Sequence, residues 1–409
     1  MLKDSRPPAI LGRVHALDAA RAGALVLGVF LHATMSFLPG PQLWVVRDTE
    51  SPALAVVFYV AHLFRMSLFF LIAGFFARLL YHRLGPRGFI RNRLIRISLP
   101  FVVFAPLVLA AMAGCFLWAA SVTGVGLRQL AQLQSAQNQS PHGINAVPLT
   151  HLWFLYVLTL FYIGTLGLRW IVSRADPYAH LREGVLDPIV RILFGTVGGV
   201  VLLAAPVAVA LALRPNWQGW IGIQAPAIGL VPNGSSLVGY AWAFLIGWCL
   251  QRQRALLPMI ERRWAFHLIA AFILTALCLA KDGTHPVLIP RAGTGSGLLV
   301  TVLYALAVWA WVLGIVGSAV RFFSDERPAV RYIADASYWI YIVHLPVVMA
   351  LQVLVWSLPL PAFAKYALVV AGAFAILLPS YALLVRHTFL GRWLNGARRE
   401  TDLTRSLLR

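Results

Sequence analysis

Acidic residues are scarce. The chain has 14 Asp and Glu against 34 Lys and Arg, and charged residues make up only 12% of its 409 positions. That is about half the share of a soluble globular domain. With 60% of residues apolar, a single soluble core does not grow to this size. A disordered chain, a coiled coil and an ordinary cytosolic enzyme are excluded. Cysteine is also rare. Cys115, Cys249 and Cys278 all lie inside apolar runs, so no disulfide framework is implied, and no metal-ligand spacing is present. No internal repeat is visible, which counts against a transporter built from inverted repeats. Met1 to Leu17 lacks an early apolar core with a small-residue cleavage site, so no cleavable signal peptide is expected. A mean hydropathy of +0.78 leaves a polytopic membrane protein.

The net charge of +20 raises the question of a nucleic-acid partner. The basic residues sit between apolar runs and not on one polar face, so none is expected. A spanning helix needs about 20 mostly apolar residues. Ten segments meet that test: 18–38, 54–80, 97–119, 150–170, 190–213, 236–251, 264–280, 297–320, 332–357 and 363–385. The expected fold is an all-α bundle of about ten transmembrane helices. With the N-terminus inside, 27 of the 34 basic residues fall on inside segments or inner span ends. Six fall outside (Arg47, Arg128, Arg214, Lys281, Arg291 and Lys365), and Arg65 lies within a span. This asymmetry predicts both termini in the cytoplasm and contact with anionic lipid. The organisation expected is a cytoplasmic segment 1–17, a membrane domain 18–385 and a basic cytoplasmic tail 386–409. The loop 120–149 carries Leu127, Leu130 and Leu133 three apart, consistent with a short surface helix or a Gln-rich linker.

Ionisable residues inside a span cost about 2.5–3.5 kcal/mol on insertion scales and usually face a cavity or a partner. Four stand out: His32, His62, Arg65 and His344. Arg21 and His32 are eleven residues apart, almost three helical turns, so they share a stripe with Gly28 between them. Asp18 can pair with Arg21. His62 and Arg65 are three apart and share a face. Tyr341 lies one turn before His344. At 1.5 Å per residue, the three histidines and Arg65 reach a similar depth, slightly outside the midplane. A buried polar site is expected; the plainer reading makes each histidine a hydrogen-bonded packing residue. Arg93 and Arg96 share a face before the third span, and guanidinium forks suit phosphate; plain positive-inside bias is the alternative. His151 and Trp153 stand near the outer end of the fourth span, where an aromatic serves as an interface anchor or as a platform for a sugar face.

Five motifs then resemble the acyltransferase-3 family of integral membrane O-acyltransferases. They are Leu17-Asp18-Ala19-Ala20-Arg21 followed by His32, Phe69-Phe70-Leu71-Ile72-Ala73-Gly74-Phe75, Arg93-Leu94-Ile95-Arg96, His151-Leu152-Trp153-Phe154-Leu155, and Ser337-Tyr338-Trp339-Ile340-Tyr341-Ile342-Val343-His344. They occur in the family's order over nearly the whole chain. His62-Leu63-Phe64-Arg65-Met66 looks most like the glucan biosynthesis protein C branch, which is implied to succinylate osmoregulated periplasmic glucans. The resemblance implies that His32 is the essential first-span histidine, with Arg21 its partner. It implies that Arg93 and Arg96 sit at the acyl-CoA side. It implies a bacterial inner-membrane enzyme with succinyl-CoA or acetyl-CoA as donor substrate, no permanently bound cofactor, a glucan or other polysaccharide acceptor, and separate glucan-biosynthesis proteins as partners. The extra C-terminal esterase-like domain of some relatives is not expected here. On this reading His32 is a general base, Arg65 stabilises an oxyanion or binds a donor carboxylate, and His62, His151, Trp153, Tyr341 and His344 line the acceptor side. Direct transfer and a covalent acyl-histidine both remain open. The other classes are a glycan transporter and a structural scaffold.

Overall fold

The computed structural model describes residues 9–40, 44–124, 143–287, 295–325 and 327–396. Among these the fold is all-helical, with one isolated antiparallel bridge between Pro148 and Ile228. The loop helix considered at 127–133 lies outside the described residues. Thirteen α-helices are used below. α1 is Ala9–Thr34, α2 Pro52–Arg93, α3 Leu99–Thr123 and α4 Trp153–Ala175. α5 is Asp187–Gly195, α6 Gly199–Ala212, α7 Gly234–Arg252, α8 Leu257–Arg262 and α9 Trp264–Asp282. α10 is Leu298–Phe322, α11 Pro328–Trp356, α12 Ala362–Ser380 and α13 Phe389–Leu394.

Local chemistry explains the ends. Ser51 caps α2, its hydroxyl accepting from the Leu54 amide at 3.3 Å, and Pro52 follows as the first helical residue. Both are favoured there because the early amides have no partner inside the helix. Asn233 caps α7 in the same way, accepting from the Ser236 amide at 2.9 Å.

Each of the ten apolar segments overlaps a helix, but the ten do not all stand as separate, straight spans. Seven helical stretches among the described residues are long and apolar enough to cross a membrane, or eight if one bent pair is a span. One of the seven is Pro52–Thr123, 72 residues long. At 1.5 Å per residue it exceeds a ~30 Å core several times over. It breaks at Gly85, whose φ of 68° and ψ of 175° are not helical. The expected span 190–213 is not straight: Arg182–Gly195 and Gly199–Ala212 meet at 104°. The bend falls in Gly195-Thr196-Val197-Gly198-Gly199, where a Cβ on Gly199 would lie 2.0 Å from the Leu193 carbonyl oxygen. The expected span 236–251 falls on α7, whose Gly, Ser, Tyr and Trp content keeps it below the apolarity of the others.

α10 is the most enclosed span, with 72% of its apolar window buried, followed by α11 at 61%. α1 and α2 pack with them to form the centre. α2 crosses α7 at close backbone approach. A Cβ on Gly74 would meet the Phe244 carbonyl oxygen, and one on Gly247 would meet that of Leu71. Paired small residues let two backbones touch, as in other membrane helix pairs. The peripheral helices turn large apolar side chains outward, including Val102, Leu107, Ile163, Ile269 and Phe272. That is the pattern of a lipid-facing ring.

One loop is clamped onto the bundle by a buried ion pair. Lys365 Nζ of α12 lies 2.9 Å from both carboxylate oxygens of Asp48 and donates to the Trp356 carbonyl at 2.8 Å. Both side chains are about 5% exposed. Removing one partner leaves an uncompensated buried charge, which costs about 3–5 kcal/mol. Lys365→Met is therefore expected to lower the unfolding temperature of the purified protein markedly. Adding Asp48→Asn should recover most of the loss; a double variant no more stable than the single one would contradict this account.

Candidate active site

α1, α2 and α11 bring His32, His62, Arg65, Tyr341 and His344 to one cavity of about 310 Å³, together with His151 and Trp153 from the start of α4. The ring centroids of His32 and His344 are 5.2 Å apart, and those of His151 and His344 are 5.0 Å apart. His62 stacks on Phe58 at 5.4 Å. His344 is 2% exposed. His32, His62 and Arg65 retain some accessible surface because they line this cavity. Trp153 is buried against Phe70 and Tyr240, so it is a wall of the cavity and not an exposed interface anchor.

The backbone of α11 fixes two imidazoles. His344 Nδ1 lies 3.1 and 2.8 Å from the carbonyl oxygens of Ile340 and Tyr341. Carbonyls only accept, so Nδ1 carries the proton and Nε2 presents its lone pair. Pro346 has no amide hydrogen, so the Ile342 carbonyl four residues earlier lacks its helical donor. His151 Nε2 supplies one, at 3.1 Å from Ile342 O and 3.0 Å from Tyr341 O. The Tyr341 hydroxyl returns a bond to the His151 carbonyl at 2.8 Å. His151 Nδ1 and His344 Nε2 are both buried without a hydrogen-bond partner. Next to His151, Thr150 has φ 53°. That left-handed conformation is costly for a β-branched residue and is typical of functional sites.

His32 sits in the last turn of α1, where carbonyls have no intrahelical donor. Gln352 Nε2 of α11 donates to the His32 and Ala33 carbonyls, each at 3.1 Å. Trp44 Nε1 donates to Gln352 Oε1 at 2.8 Å, and its ring lies parallel to the His32 ring at 6.1 Å. His32 Nδ1 and Arg65 Nε are buried and unpartnered. Arg65 passes against Gly28, where a Cβ would lie 2.6 Å from Nη1 and 3.5 Å from His344 Nε2. The cavity therefore holds several hydrogen-bonding groups and one guanidinium with no carboxylate among its lining residues. Trp44 and Gln352 are the site residues that sequence reasoning missed. A buried amide in the apolar run of α11 was a readable signal for Gln352; Trp44, in a loop, gave none.

A second cavity of about 250 Å³ opens at the arginine-rich end of the bundle, lined by Arg21, Arg93 and Arg96. Arg21 pairs with Asp18 at 3.0 Å. Arg93 donates to the Tyr162 hydroxyl at 3.3 Å and to Asn92 Oδ1 at 2.6 Å, and its Nε is buried and unpartnered. Arg96 reaches the Asn395 carbonyl at 3.3 Å. That contact comes from the segment expected to be a tail: α13 and Asn395 fold back, and Leu394 and Asn395 line this cavity. Trp393 Nε1 ties the segment down by donating to the Ile95 carbonyl at 2.7 Å. The two cavities share Leu25, Phe69, Phe154 and Tyr341 as a common wall.

The model of an acyltransferase domain matches residues 14–384. The chain belongs to the acyltransferase-3 family. Among curated relatives, the protein named Glucans biosynthesis protein C from Shigella dysenteriae serotype 1 is 27% identical over 175 residues, 40% of each chain. Its namesake from Escherichia coli K12 is 26% identical over 174 residues, again 40% of each chain. In these alignments the chain covers well under half of the relatives' length. The namesake from Escherichia coli O1:K1 is 23% identical over 362 residues, 82% of each chain. No solved structure matches the chain. Family membership and seven or eight membrane-crossing helical stretches among the described residues make this a multi-pass membrane protein of an acyltransferase family. All five motif regions of the sequence contribute residues to one or both cavities of this family member.

Proposed function

We propose that this chain moves an acyl group, succinyl in the preferred reading, from cytoplasmic acyl-CoA to hydroxyls of a periplasmic glucan. It would sit in a bacterial inner membrane with ten crossings and both termini in the cytoplasm. One observation carries the reading: the arginine-lined cavity and the histidine-lined cavity meet at a single wall. Phosphates of a donor would rest against Arg93 and Arg96, and its thioester would reach the wall. The glucan hydroxyl would arrive from the other side. The names of the relatives support a glucan acceptor.

In this mechanism His32 takes the proton of the attacking hydroxyl. The oxygen forms a bond to the thioester carbonyl carbon, and Arg65 stabilises the oxyanion. The C–S bond then breaks, and the CoA thiolate leaves and takes up the proton held by His32. His151 Nδ1 and His344 Nε2, with their lone pairs fixed by α11, accept from other sugar hydroxyls. Arg21, on α1, lines the same cavity as Arg93 and Arg96, where it would orient the donor.

The test uses purified protein in liposomes with labelled succinyl-CoA or acetyl-CoA and a β-glucan. Label transferred from succinyl-CoA supports the proposal. Transfer from acetyl-CoA alone would keep the enzyme class and change the acyl group. A folded protein that neither binds CoA nor transfers label would sink it and favour a glycan transporter. Arg93→Gln and Arg96→Gln give a narrower check. A hydrogen bond to a charged group is worth about 1.5–3 kcal/mol, so each should raise the donor KM roughly tenfold to a hundredfold, with a smaller change in kcat. Unchanged CoA affinity by calorimetry would remove these arginines from the donor site.

A further inference from the structure

A different set of basic residues lies outside both cavities. Arg78 on α2 places its guanidinium 5.9 Å from the Trp248 ring of α7. Arg169 on α4 lies 4.6 Å over the Tyr81 ring of α2. The two rings touch, with centroids 6.0 Å apart. Arg169 and Arg252 both lie close enough to Arg78 to repel it, and His82 feels all three.

The nearby acids do not balance this charge. Asp187 is held by Arg252, whose Nε lies 2.9 and 3.1 Å from its two oxygens and whose Nη2 lies 3.0 Å from Oδ2. Gln253 also donates to Asp187 Oδ1 at 3.0 Å. Glu183 is shared with the same arginine at 3.4 Å. Among the described residues Arg78 and Arg169 have ring contacts and no carboxylate partner, and Arg78 Nε is buried with no hydrogen-bond acceptor. Two half-buried guanidiniums of like charge near one another repel, and an anion that bridges them would relieve that repulsion. Their planar forks match phosphate oxygens.

We propose that Arg78 and Arg169 bind the phosphate of an anionic phospholipid headgroup, with Trp248 and Tyr81 as the floor of the site. A lipid is favoured over a free phosphate by what flanks the site. Leu168 and Trp170, on either side of Arg169, are 45% and 61% exposed, which gives acyl chains an apolar surface to lie on. Basic pockets between membrane helices hold such headgroups elsewhere. Only the choice of the cytoplasmic leaflet rests on the orientation proposed above. The lipid contact itself stands without the acyl-transfer reading, and its test does not use transfer.

The full chain would be placed in nanodiscs of phosphatidylcholine, with or without one phosphatidylglycerol in five. Native mass spectrometry should then find retained phosphatidylglycerol on the native protein, and at least fivefold less on the Arg78→Gln/Arg169→Gln double variant. Arg191→Gln, an exposed arginine of α5 with no ring contact among the described residues, should retain it. Brominated phosphatidylglycerol provides a check on folded protein: it should quench a fluorescence component that Trp248→Phe removes. Equal lipid retention by the double variant, or quenching unaffected by Trp248→Phe, would overturn the proposal. So would thermal stabilisation by inorganic phosphate, or by coenzyme A, that matches phosphatidylglycerol and disappears in the double variant. The first would assign the site to free phosphate and the second to the acyl donor.

Discussion

His32→Ala should lower kcat about 10²- to 10⁴-fold, the span expected when a positioned general base is removed. The donor should still bind, because Arg93 and Arg96 line a separate cavity. Beyond ring contacts with Trp44 and His344, the imidazole has no other work in the fold. Its Nδ1 makes no hydrogen bond, and the end of α1 is held by Gln352 through backbone carbonyls. The variant should therefore keep its unfolding temperature within a few degrees. Transfer and CoA binding would be measured on the same preparation. Full activity in the variant would move the base to His344 or His151. Loss of activity together with loss of folding would show that the imidazole is part of the packing.

Gly28→Ala should cost nearly as much, although it adds a single methyl group to a helix. Alanine is the better helix former by about 0.8–1 kcal/mol, so propensity alone predicts a slightly more stable α1. The methyl carbon would stand 2.6 Å from Arg65 Nη1, closer than nonbonded atoms tolerate. The end of the Arg65 side chain must then shift from where it stands, a displacement that costs the fold little but moves the guanidinium off its present aim. Removing an oxyanion donor typically costs about 10²- to 10³-fold in kcat, and that range is expected here. Gly23→Ala is the control, since a Cβ there meets nothing within 4 Å; it should leave activity unchanged. Equal activity in both variants would mean that Arg65 does not act from its present position.

The fold was legible in the sequence wherever a long apolar run met polar flanks, which is why each of the ten segments overlaps a helix. The bend between α5 and α6 was not. An apolar run shows no period, so a change of direction inside it leaves only the Gly198-Gly199 pair as a trace. The break in α2 was similarly hidden in the polar stretch around Gly85. For the site, spacing along single helices was readable: Arg21 with His32, and His62 with Arg65. That His32, His62 and Arg65 share one cavity could be argued only from depth, which does not say which helices are neighbours, and Arg21, expected beside His32, lines the other cavity. The packing of α1 against α2 and α11 supplies that. The place of His151 depended on a carbonyl freed by Pro346, nearly two hundred residues away. Trp44 depended on the loop pinned by Asp48 and Lys365.

The wall between the two cavities has a bearing on the energy supply of the cell. Leu25, Phe69 and Phe154 have no groups that pass a proton, and the Tyr341 hydroxyl is committed to the His151 carbonyl. A continuous polar column through this chain would be a conductor, and a charged membrane carrying it would discharge. With the wall in place, chemistry can cross from one side to the other while current does not. In the proposed reaction the chemistry would be brought to an insulator, and each turnover would pass one acyl group outward and one proton back to the thiolate, with no net open path for ions.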